Sequence, residues 1–357
     1  MTMQEIGFVK AETLKQKPTD EGHLGFGRIF TDYMFTMHYD KGQGWHDPKV
    51  EPNKPFLMDP AAMVLHYGQT IFEGLKCYRR DDGGLQLFRP ADNFKRMNIS
   101  AERLSIPQFD EEVAMAGLLK LLQTEKDWVP SAKDTSLYIR PFIIATDPFV
   151  GVRASNSYTF FIILSPVGAY YPSGLNPVGI FVEDQYVRAV RGGFGFAKTA
   201  GNYAASLKAA EVAHAKGYDQ VLWLDGVEQK YVEEVGSMNM MFVVDGKLIT
   251  PMLNGSILAG ITRDSILKLA KQNGIPVEER RIAVSEIFEA AERGTLDEAF
   301  GTGTAAVVSP VGEMCWAGKQ IALSDGKIGP ITQKMYNQLT GIQWGRQADP
   351  FGWIVRL

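Results

Sequence analysis

A lysine that follows a glycine-rich run is the residue of this chain whose setting points most directly to chemistry. The run Arg191-Gly192-Gly193-Phe194-Gly195-Phe196-Ala197 leads to Lys198, and the small residues Thr199-Ala200-Gly201 come next. Glycine and alanine leave room for a flat ligand against the backbone, and a helix predicted from about Tyr203 to Lys216 would hold the lysine rigidly. An amine held in this way can act as a nucleophile toward a carbonyl group.

Two phosphate-binding loops are alternatives to this interpretation. Gly192 to Thr199 nearly matches the loop of nucleoside-triphosphate-binding proteins, but Ala197 stands where the last glycine belongs. Gly301-Thr302-Gly303-Thr304-Ala305-Ala306 is similar to a dinucleotide-binding fingerprint, but Val307-Val308-Ser309-Pro310 follows where that fingerprint requires a helix. A nucleotide-binding protein without covalent chemistry is therefore the alternative from another functional class.

Length and composition indicate two domains and a small ligand. A chain of 357 residues exceeds the size at which one hydrophobic core stops growing. Its 45% hydrophobic and 22% charged residues are ordinary for a globular protein, and a net charge of -4 gives no reason to expect nucleic acid. No segment has the pattern of a signal peptide or a membrane span. We therefore expect a cytoplasmic enzyme.

The cysteines and histidines predict no metal site. Cys77 and Cys315 are the only cysteines and lie far apart in the sequence, as is typical of a reducing compartment. The five histidines include no close pair at the helical spacing of metal ligands. We therefore expect that the protein holds no metal ion.

Hydrophobic periodicity predicts strands and helices in both halves of the chain, which favours a mixed α+β or α/β fold. The glycines and prolines of residues 169–177 predict a linker between a small N-terminal α/β domain, 1–168, and a larger C-terminal domain, 178–357. The predicted strands are Tyr33 to Tyr39, Leu75 to Arg79, Leu85 to Phe88, Leu137 to Ala145, Tyr158 to Leu164, Val178 to Val182, Val221 to Leu224, Met240 to Val244 and Lys247 to Thr250. The further predicted helices are Ala91 to Leu104, Glu111 to Gln123 with Asp110 as N-cap, and Thr262 to Asn273.

Three further groups suit an aromatic cofactor that carries a phosphate. Glu234 precedes an apolar strand, and a carboxylate there can keep a pyridine nitrogen protonated; a solvated acidic turn is the alternative. Gly260 precedes a helix whose first N–H groups suit an anion, although Thr262 could simply be its N-cap. The small residues of Gly301 to Ala305 bring amides and a hydroxyl together, as an anion site or as a plain turn does.

Together these motifs resemble the fold-type IV aminotransferases that use pyridoxal 5'-phosphate, which have two domains like D-amino acid aminotransferase, with the active site between the domains. Within them the chain is similar to the branched-chain-amino-acid aminotransferases of the longer form. The resemblance runs over nearly the whole chain. Its most specific motifs are Phe72-Glu73-Gly74-Leu75-Lys76, Leu87-Phe88-Arg89-Pro90, Ser136-Leu137-Tyr138-Ile139-Arg140-Pro141, Lys198 with Gly201-Asn202-Tyr203, Glu234-Val235-Gly236-Ser237, and Gly301-Thr302-Gly303-Thr304.

The resemblance implies that Lys198 is the catalytic residue and binds pyridoxal 5'-phosphate covalently. It implies that Tyr203 bonds the ring oxygen, that Glu234 pairs with the pyridine nitrogen and that Arg96 binds the phosphate. The other implied cofactor contacts are Ser237, the amides of Ile261 and Thr262, and the hydroxyl of Thr304. Without the resemblance, Arg96 on a helix face beside Lys95 would be predicted as a surface charge.

The resemblance also implies a substrate pocket made by Tyr67, Phe72, Tyr138, Arg140 and Tyr170, with amides of Thr304, Ala305 and Ala306 for the substrate carboxylate. Aromatic walls suit a branched aliphatic side chain, and Arg140 suits the second carboxylate of glutamate or 2-oxoglutarate. The implied reaction is ping-pong transfer of the amino group of leucine, isoleucine or valine to 2-oxoglutarate, in biosynthesis or degradation. For the tyrosines, core packing is the alternative.

Two positions depart from the pattern of the family. Ala306 and Ser309 stand where the mammalian mitochondrial members have a Cys-x-x-Cys redox switch, so thiol regulation is excluded there. Ser237 replaces a common threonine, and we expect a small effect on substrate packing only.

Two other activities of the same fold, D-amino acid aminotransferase and aminodeoxychorismate lyase, would keep Lys198 and Glu234 but differ in the substrate pocket. The chain length and the Tyr138-Ile139-Arg140-Pro141 segment argue against both. The family resemblance further implies a homodimer, whereas the charge and hydropathy of the chain predict neither nucleic acid nor a membrane as a partner.

Overall fold

The computed structural model describes residues 5–168 and 175–357. Tyr170 and most of the predicted linker therefore lie outside the described residues. The chain divides into two compact units: the first takes in the described part of residues 1–172 with 197–200 and 342–357, and the second holds the described part of 173–196 with 201–341. The sequence-based division put residues 342–357 in the C-terminal domain, whereas the structure groups them with the first unit because their last strand pairs with Leu85–Phe88.

The first unit is built on a nine-stranded sheet that is antiparallel except for the pairing of its first strand. Its strand order is β1-β3-β2-β8-β7-β5-β6-β18, with β4 paired to β7. The strands are β1 Gly7–Phe8, β2 Tyr33–Asp40, β3 Gly44–Pro52, β4 Thr70–Phe72, β5 Leu75–Arg79, β6 Leu85–Phe88, β7 Ser136–Ala145, β8 Ser157–Val167 and β18 Ile354–Arg356.

Three α-helices belong to the first unit alone: α1 Met63–Tyr67, α2 Pro90–Arg103 and α3 Glu111–Thr124. As predicted, the Asp110 side chain caps α3 by accepting the N–H groups of Glu112 and Val113. Helix α3 approaches the sheet closely at Gly117, where an added Cβ would clash with the Phe35 ring. Phe35, Phe160 and Leu118, all fully buried, belong to one apolar core, so burial of these side chains holds the helix on the sheet.

The second unit is built on a mixed nine-stranded sheet with the order β11-β10-β9-β16-β15-β12-β13-β14 and with β17 paired to β16. Strand β9 runs parallel to both of its neighbours, β10 and β16, and β12 is antiparallel to both β13 and β15. The strands are β9 Val178–Glu183, β10 Gln220–Leu224, β11 Val232–Val235, β12 Met238–Val244, β13 Lys247–Pro251, β14 Val277–Arg280, β15 Leu296–Gly303, β16 Val307–Trp316 and β17 Lys319–Ala322.

The remaining helices are α4 Ala200–Ala204, α5 Leu207–Ala215, α6 Ile261–Gln272, α7 Val284–Glu292 and α8 Pro330–Gln343. The single helix predicted from Tyr203 to Lys216 is therefore wrong. The chain turns at Ser206, whose N–H and hydroxyl both donate to the Tyr203 carbonyl and so end α4. Within the described part of the chain, no helix has the length and apolar character of a membrane span.

Candidate active site

The backbone of Lys198 is held on both sides within the first unit. Its N–H donates to Ser100 Oγ on α2 at 2.9 Å, and its carbonyl accepts from the N–H of Phe72 on β4 at 3.0 Å. Thr199 forms an isolated bridge with Ile71, and its hydroxyl donates to the Thr70 carbonyl at 2.7 Å. The lysine therefore starts from an anchored backbone, as a nucleophile requires.

The lysine side chain lies over an aromatic ring that a guanidinium group also contacts. The Nζ of Lys198 lies 5.1 Å from the centroid of the Phe72 ring, and the Arg140 guanidinium lies 4.6 Å from the same ring. Arg140 Nη2 also donates to the Tyr138 hydroxyl at 2.9 Å. Gly74 is required beside this cluster, since an added Cβ would clash with that hydroxyl. The structure thus brings together Lys198 and three of the predicted substrate residues.

Tyr67, another predicted substrate residue, has a different setting. Its side chain is 40% exposed, and its hydroxyl donates to the carbonyl of Val150. The N–H of Phe149 donates to the carbonyl of Ala61 at 3.0 Å, which holds the segment 149–152 beside 61–67. Tyr170 lies outside the described residues.

Arg96 is buried, so its interpretation as a surface charge is wrong. Its Nε and Nη2 each donate to the Glu73 carboxylate at 2.8 Å, one to each oxygen, and Glu73 is fully buried. Asn93 Nδ2 donates to the same carboxylate at 2.8 Å. Burial opposes ionisation of Glu73, but the Arg96 guanidinium and the neighbouring donors hold the pKa of this carboxyl below its usual value. The result is a rigid bidentate pair.

In the second unit, Glu234 is buried on β11, which excludes the solvated acidic turn. Its Oε2 pairs with Arg188 Nη2 at 2.8 Å. Its Oε1 accepts from the N–H of Leu258 at 3.0 Å and from Asn239 Nδ2 at 3.2 Å. The carboxylate therefore has a fixed position and three donors, an arrangement that suits a partner for a protonated ring nitrogen.

Helix α6 begins one residue after Gly260, which is its N-cap, so Thr262 is not the cap. The N–H groups of Ile261 and Thr262 belong to the first turn of α6, at the positive end of the helix dipole, which suits an anion. Gly260 packs closely against β12, because an added Cβ would clash with Asn239 Oδ1. The same asparagine side chain donates to Glu234, so the helix start and the carboxylate are positioned together.

The other predicted residues of the second unit lie in turns or on a short helix. Thr304, Ala305 and Ala306 form the turn between β15 and β16, and Ser237 lies exposed in the turn between β11 and β12. Val307, directly after the turn 304–306, has a φ of 63°. This left-handed conformation is costly for a β-branched residue and is typical of functional sites. Tyr203 is half-buried on α4.

Taken separately, each unit offers groups that suit an aromatic aldehyde carrying a phosphate. The first offers an amine at Lys198, and the second offers a carboxylate at Glu234 and first-turn amides at the start of α6. Two buried polar atoms, Arg140 Nε and Thr302 Oγ1, have no partner among the described residues. Unpaired buried donors carry a free-energy cost, which a polar ligand would relieve.

Four residues that hold this arrangement were not predicted: Glu73, Ser100, Arg188 and Asn239. Glu73 lies in the motif Phe72-Glu73-Gly74-Leu75-Lys76, and its place beside Phe72 is the one sequence signal that could have identified it. Ser100 and Arg188 have no local signal, because their partners Lys198 and Glu234 lie 98 and 46 positions away (198 − 100 and 234 − 188).

The chain belongs to the amino-transferase class IV family, whose pattern matches residues 70–314. The expected family and the mixed α/β fold are thereby confirmed. It is 57% identical over 357 residues to "Branched-chain-amino-acid aminotransferase 2" of Bacillus subtilis (strain 168), covering 100% of this chain and 98% of that protein.

Two solved structures share its fold. The branched-chain amino acid aminotransferase of Escherichia coli superposes with a TM-score of 0.75 at 29% identity, covering 90% of this chain and 98% of that one. A branched-chain amino acid aminotransferase from a second organism, abbreviated T.th., is complexed with N-(5'-phosphopyridoxyl)-L-glutamate. It gives a TM-score of 0.71 at 26% identity, with coverages of 89% and 97%.

Proposed function

We propose that this aminotransferase transfers the amino group of leucine, isoleucine or valine to 2-oxoglutarate, using pyridoxal 5'-phosphate bound covalently to Lys198. Lys198 carries the proposal, because its backbone is anchored by Ser100 and Phe72 while its amine lies over an aromatic ring beside Arg140. The names of the relatives support the substrate class, and the phosphopyridoxyl ligand of the second solved structure supports the cofactor.

Each remaining residue has a role that follows from its chemistry. When bound, pyridoxal 5'-phosphate supplies an aldehyde for the amino group and a pyridinium ring that withdraws electrons from the α-carbon. Nζ of Lys198 would act as the base that takes the proton from the substrate α-carbon in the first half-reaction, and as the acid that returns a proton to that carbon in the second. Glu234 would accept a hydrogen bond from the protonated ring nitrogen, and Tyr203 would donate one to the ring oxygen. The amides of Ile261 and Thr262, the Thr304 hydroxyl and Arg96 hold the phosphate, with Ser237 beside them.

The first unit would also select the substrate. Phe72 and Tyr138 offer apolar ring surfaces to a branched side chain, while Arg140 Nε, which lacks a partner among the described residues, can donate to the second carboxylate of glutamate. Tyr67 and Tyr170 would extend these walls. The turn of Thr304, Ala305 and Ala306 would bind the α-carboxylate through its amides.

We further infer that the active form is a cytoplasmic homodimer. Exposed apolar side chains cluster on the first unit where segment 149–152 lies beside 61–67: Leu65 at 60%, Phe149 at 42%, Val150 at 64% and Val152 at 87%. Apolar surface of this kind favours association, and a second copy suits it because Tyr67 of the proposed pocket lies within it.

Visible spectroscopy tests the reaction and its residue together. We expect the purified protein with pyridoxal 5'-phosphate to show a yellow absorbance band that disappears on addition of L-leucine and returns with 2-oxoglutarate. Lys198→Ala should lack the band and the activity, whereas the matched control Lys208→Ala, which removes an exposed lysine paired with Glu211, should keep both.

Other spectral responses would contradict specific parts of the proposal. A yellow protein that ignores leucine but responds to D-alanine has the expected fold and a different substrate. A Lys198→Ala variant that keeps the band contradicts the assignment of the lysine. In a dilution series of the same assay, full activity in a monomer would contradict the homodimer.

A further inference from the structure

Glu233 is a buried carboxyl beside Glu234 for which the proposed reaction has no use. It is 3% exposed. Its Oε1 accepts from the Ser256 hydroxyl and from Asn254 Nδ2, the latter at 3.2 Å. Its Oε2 has no partner among the residues that the structure describes. A glutamate in this setting carries a desolvation cost that calls for a structural or functional reason.

Glu233 and Glu234 together hold one irregular segment, residues 254–258. Glu233 binds its first part through Asn254 and Ser256, and Glu234 binds its end through the N–H of Leu258 at 3.0 Å. Between the first two lies Gly255 with a φ of 95°, a conformation that glycine adopts without strain. Two residues after Leu258 the chain reaches Gly260 and the start of α6. The segment therefore connects the strand that carries both glutamates to the proposed phosphate-binding amides.

Ser256 also links the two glutamates through Arg188. The Ser256 carbonyl accepts from Arg188 Nη2 at 2.5 Å, and the same Nη2 pairs with Glu234 Oε2 at 2.8 Å. Gly195 of the glycine-rich run lies against this carbonyl, because an added Cβ would clash with it. Displacement of Ser256 would therefore disturb the position of Arg188 and, through it, the Glu234 carboxylate.

We propose that Glu233 is a positioning residue, which fixes segment 254–258 through Asn254 and Ser256 and thereby sets both the Arg188–Glu234 pair and the N-terminus of α6. The consequence for the cofactor rests on the proposed function, whereas the anchoring of the segment does not. Glu233 acts through these groups and touches neither the substrate nor the reacting atoms.

The protonation state of Glu233 bears on this role. Burial raises the pKa of Glu233, and the nearby Asp225 adds to the rise, while Ser256, Asn254 and Arg188 oppose it. The other charged groups around it are Arg191, Glu228 and Arg281, which line an adjoining cavity of about 390 Å³. Ser256 and Asn254 both donate to Glu233 and therefore bind its ionised form more strongly, so protonation of Glu233 would loosen its hold on segment 254–258.

Amide hydrogen exchange of the cofactor-free protein tests the anchoring alone. In Glu233→Ala we expect faster exchange at Leu258 and over residues 256–262, with slow exchange retained in β12 and β15. Glu233→Gln keeps an acceptor for Ser256 and Asn254 without charge, so it should exchange like the unmodified protein. Unchanged exchange in Glu233→Ala would overturn the proposal, whether or not the protein binds pyridoxal 5'-phosphate.

Cofactor affinity tests the consequence. We expect Glu233→Ala to raise the Kd of pyridoxal 5'-phosphate about tenfold, the effect of losing roughly one buried hydrogen bond. The matched control Glu289→Gln, which removes an exposed carboxylate paired with Arg293, should leave the Kd unchanged. Equal Kd values for Glu233→Ala and the unmodified protein would overturn the proposed link to the cofactor.

A pH series separates positioning from general loss of structure and needs only the conservative variant. As pH rises, ionisation of Glu233 should strengthen cofactor binding by the unmodified protein relative to Glu233→Gln, since glutamine cannot ionise. A Kd ratio between the two that does not vary with pH would contradict a role for the ionised form. If the unmodified protein binds no pyridoxal 5'-phosphate while exchange at Leu258 still depends on Glu233, the proposed function fails and the anchoring stands.

Discussion

At the scale of single residues, the most consequential contact is the one between Arg96 and Glu73. The bidentate Glu73 carboxylate fixes the plane of the Arg96 guanidinium, as the proposed phosphate contact requires. Because both side chains are buried, water cannot solvate the charge that remains if one of the two is removed.

We expect Glu73→Gln to destabilise the first unit by about 3 kcal/mol, because a buried arginine would lose its counter-charge. The Kd of pyridoxal 5'-phosphate should rise in parallel, since the guanidinium would lose its orientation. Urea unfolding and spectroscopic titration measure the two effects. The matched control is Glu102→Gln on the exposed face of α2. A Glu73→Gln protein with unchanged stability would contradict the burial argument.

Sequence reasoning could place Lys198 and Glu234 because their neighbours carry local signals, glycines in one case and an apolar strand in the other. It could not place Arg188 or Ser100, because a hydrogen bond across the fold leaves no trace in the residues on either side. Arg96 was misread without the family resemblance for the same reason: its partner Glu73 lies 23 positions away.

At the scale of elements, the start of α6 depends on a glycine without positive φ. Gly260 is required by space alone, because Asn239 occupies the position of a side chain. The helix therefore begins against β12, and any larger residue must move either the helix or the asparagine that donates to Glu234.

We expect Gly260→Ala to weaken the binding of pyridoxal 5'-phosphate by about tenfold or more, through displacement of a hydrogen-bonded side chain. Titration of the purified variant measures this directly. Gly168→Ala is a suitable control, since an added Cβ at Gly168 meets nothing within 4 Å. Equal affinities of the two variants would show that the helix start tolerates the shift.

Among the elements, the predicted strands on either side of two short turns are confirmed, and they pair as hairpins, β5 with β6 and β12 with β13. Their turns, Asp81-Asp82-Gly83-Gly84 and Asp245-Gly246, have the residues that tight turns require, so the local chemistry was sufficient. The break at Ser206 was missed because serine has no strong effect on helix propensity, and the hydroxyl contact that ends α4 depends on the backbone already being folded.

At the scale of the whole molecule, the pH dependence of stability has an identifiable source in the first unit. Glu125 is buried, and burial, together with the nearby Asp32, raises its pKa from 4.5 to about 7. The N–H of Tyr33 donates to this carboxyl, and Trp128 Nε1 donates to Asp32 at 2.8 Å. Between pH 4.5 and about pH 7, Glu125 of the folded protein therefore keeps a proton that the same residue has released in the unfolded chain.

The free energy of unfolding should consequently fall as pH rises from about 4.5 to about 7, and this contribution should level off above that range. A pKa difference of one between the folded and unfolded states corresponds to about 1.4 kcal/mol. Urea unfolding at pH 5 and pH 8 measures it, and Glu125→Gln should reduce the difference between the two values. Asp127→Asn, at an exposed position nearby, should not. An equal pH dependence in Glu125→Gln would contradict the assignment.

The pairing of β18 with β6 also orders events during synthesis. Strand β6 is translated early, but its partner Ile354–Arg356 and the carbonyl of Trp353 that receives the Arg89 N–H are translated after every strand of the second unit. The ribosome thus exposes the second sheet in full while the first still has an open edge, and an open edge is a template for pairing with another chain. A nascent polypeptide of this kind needs protection at Leu85–Phe88 for most of its translation, long after the residues around it have folded.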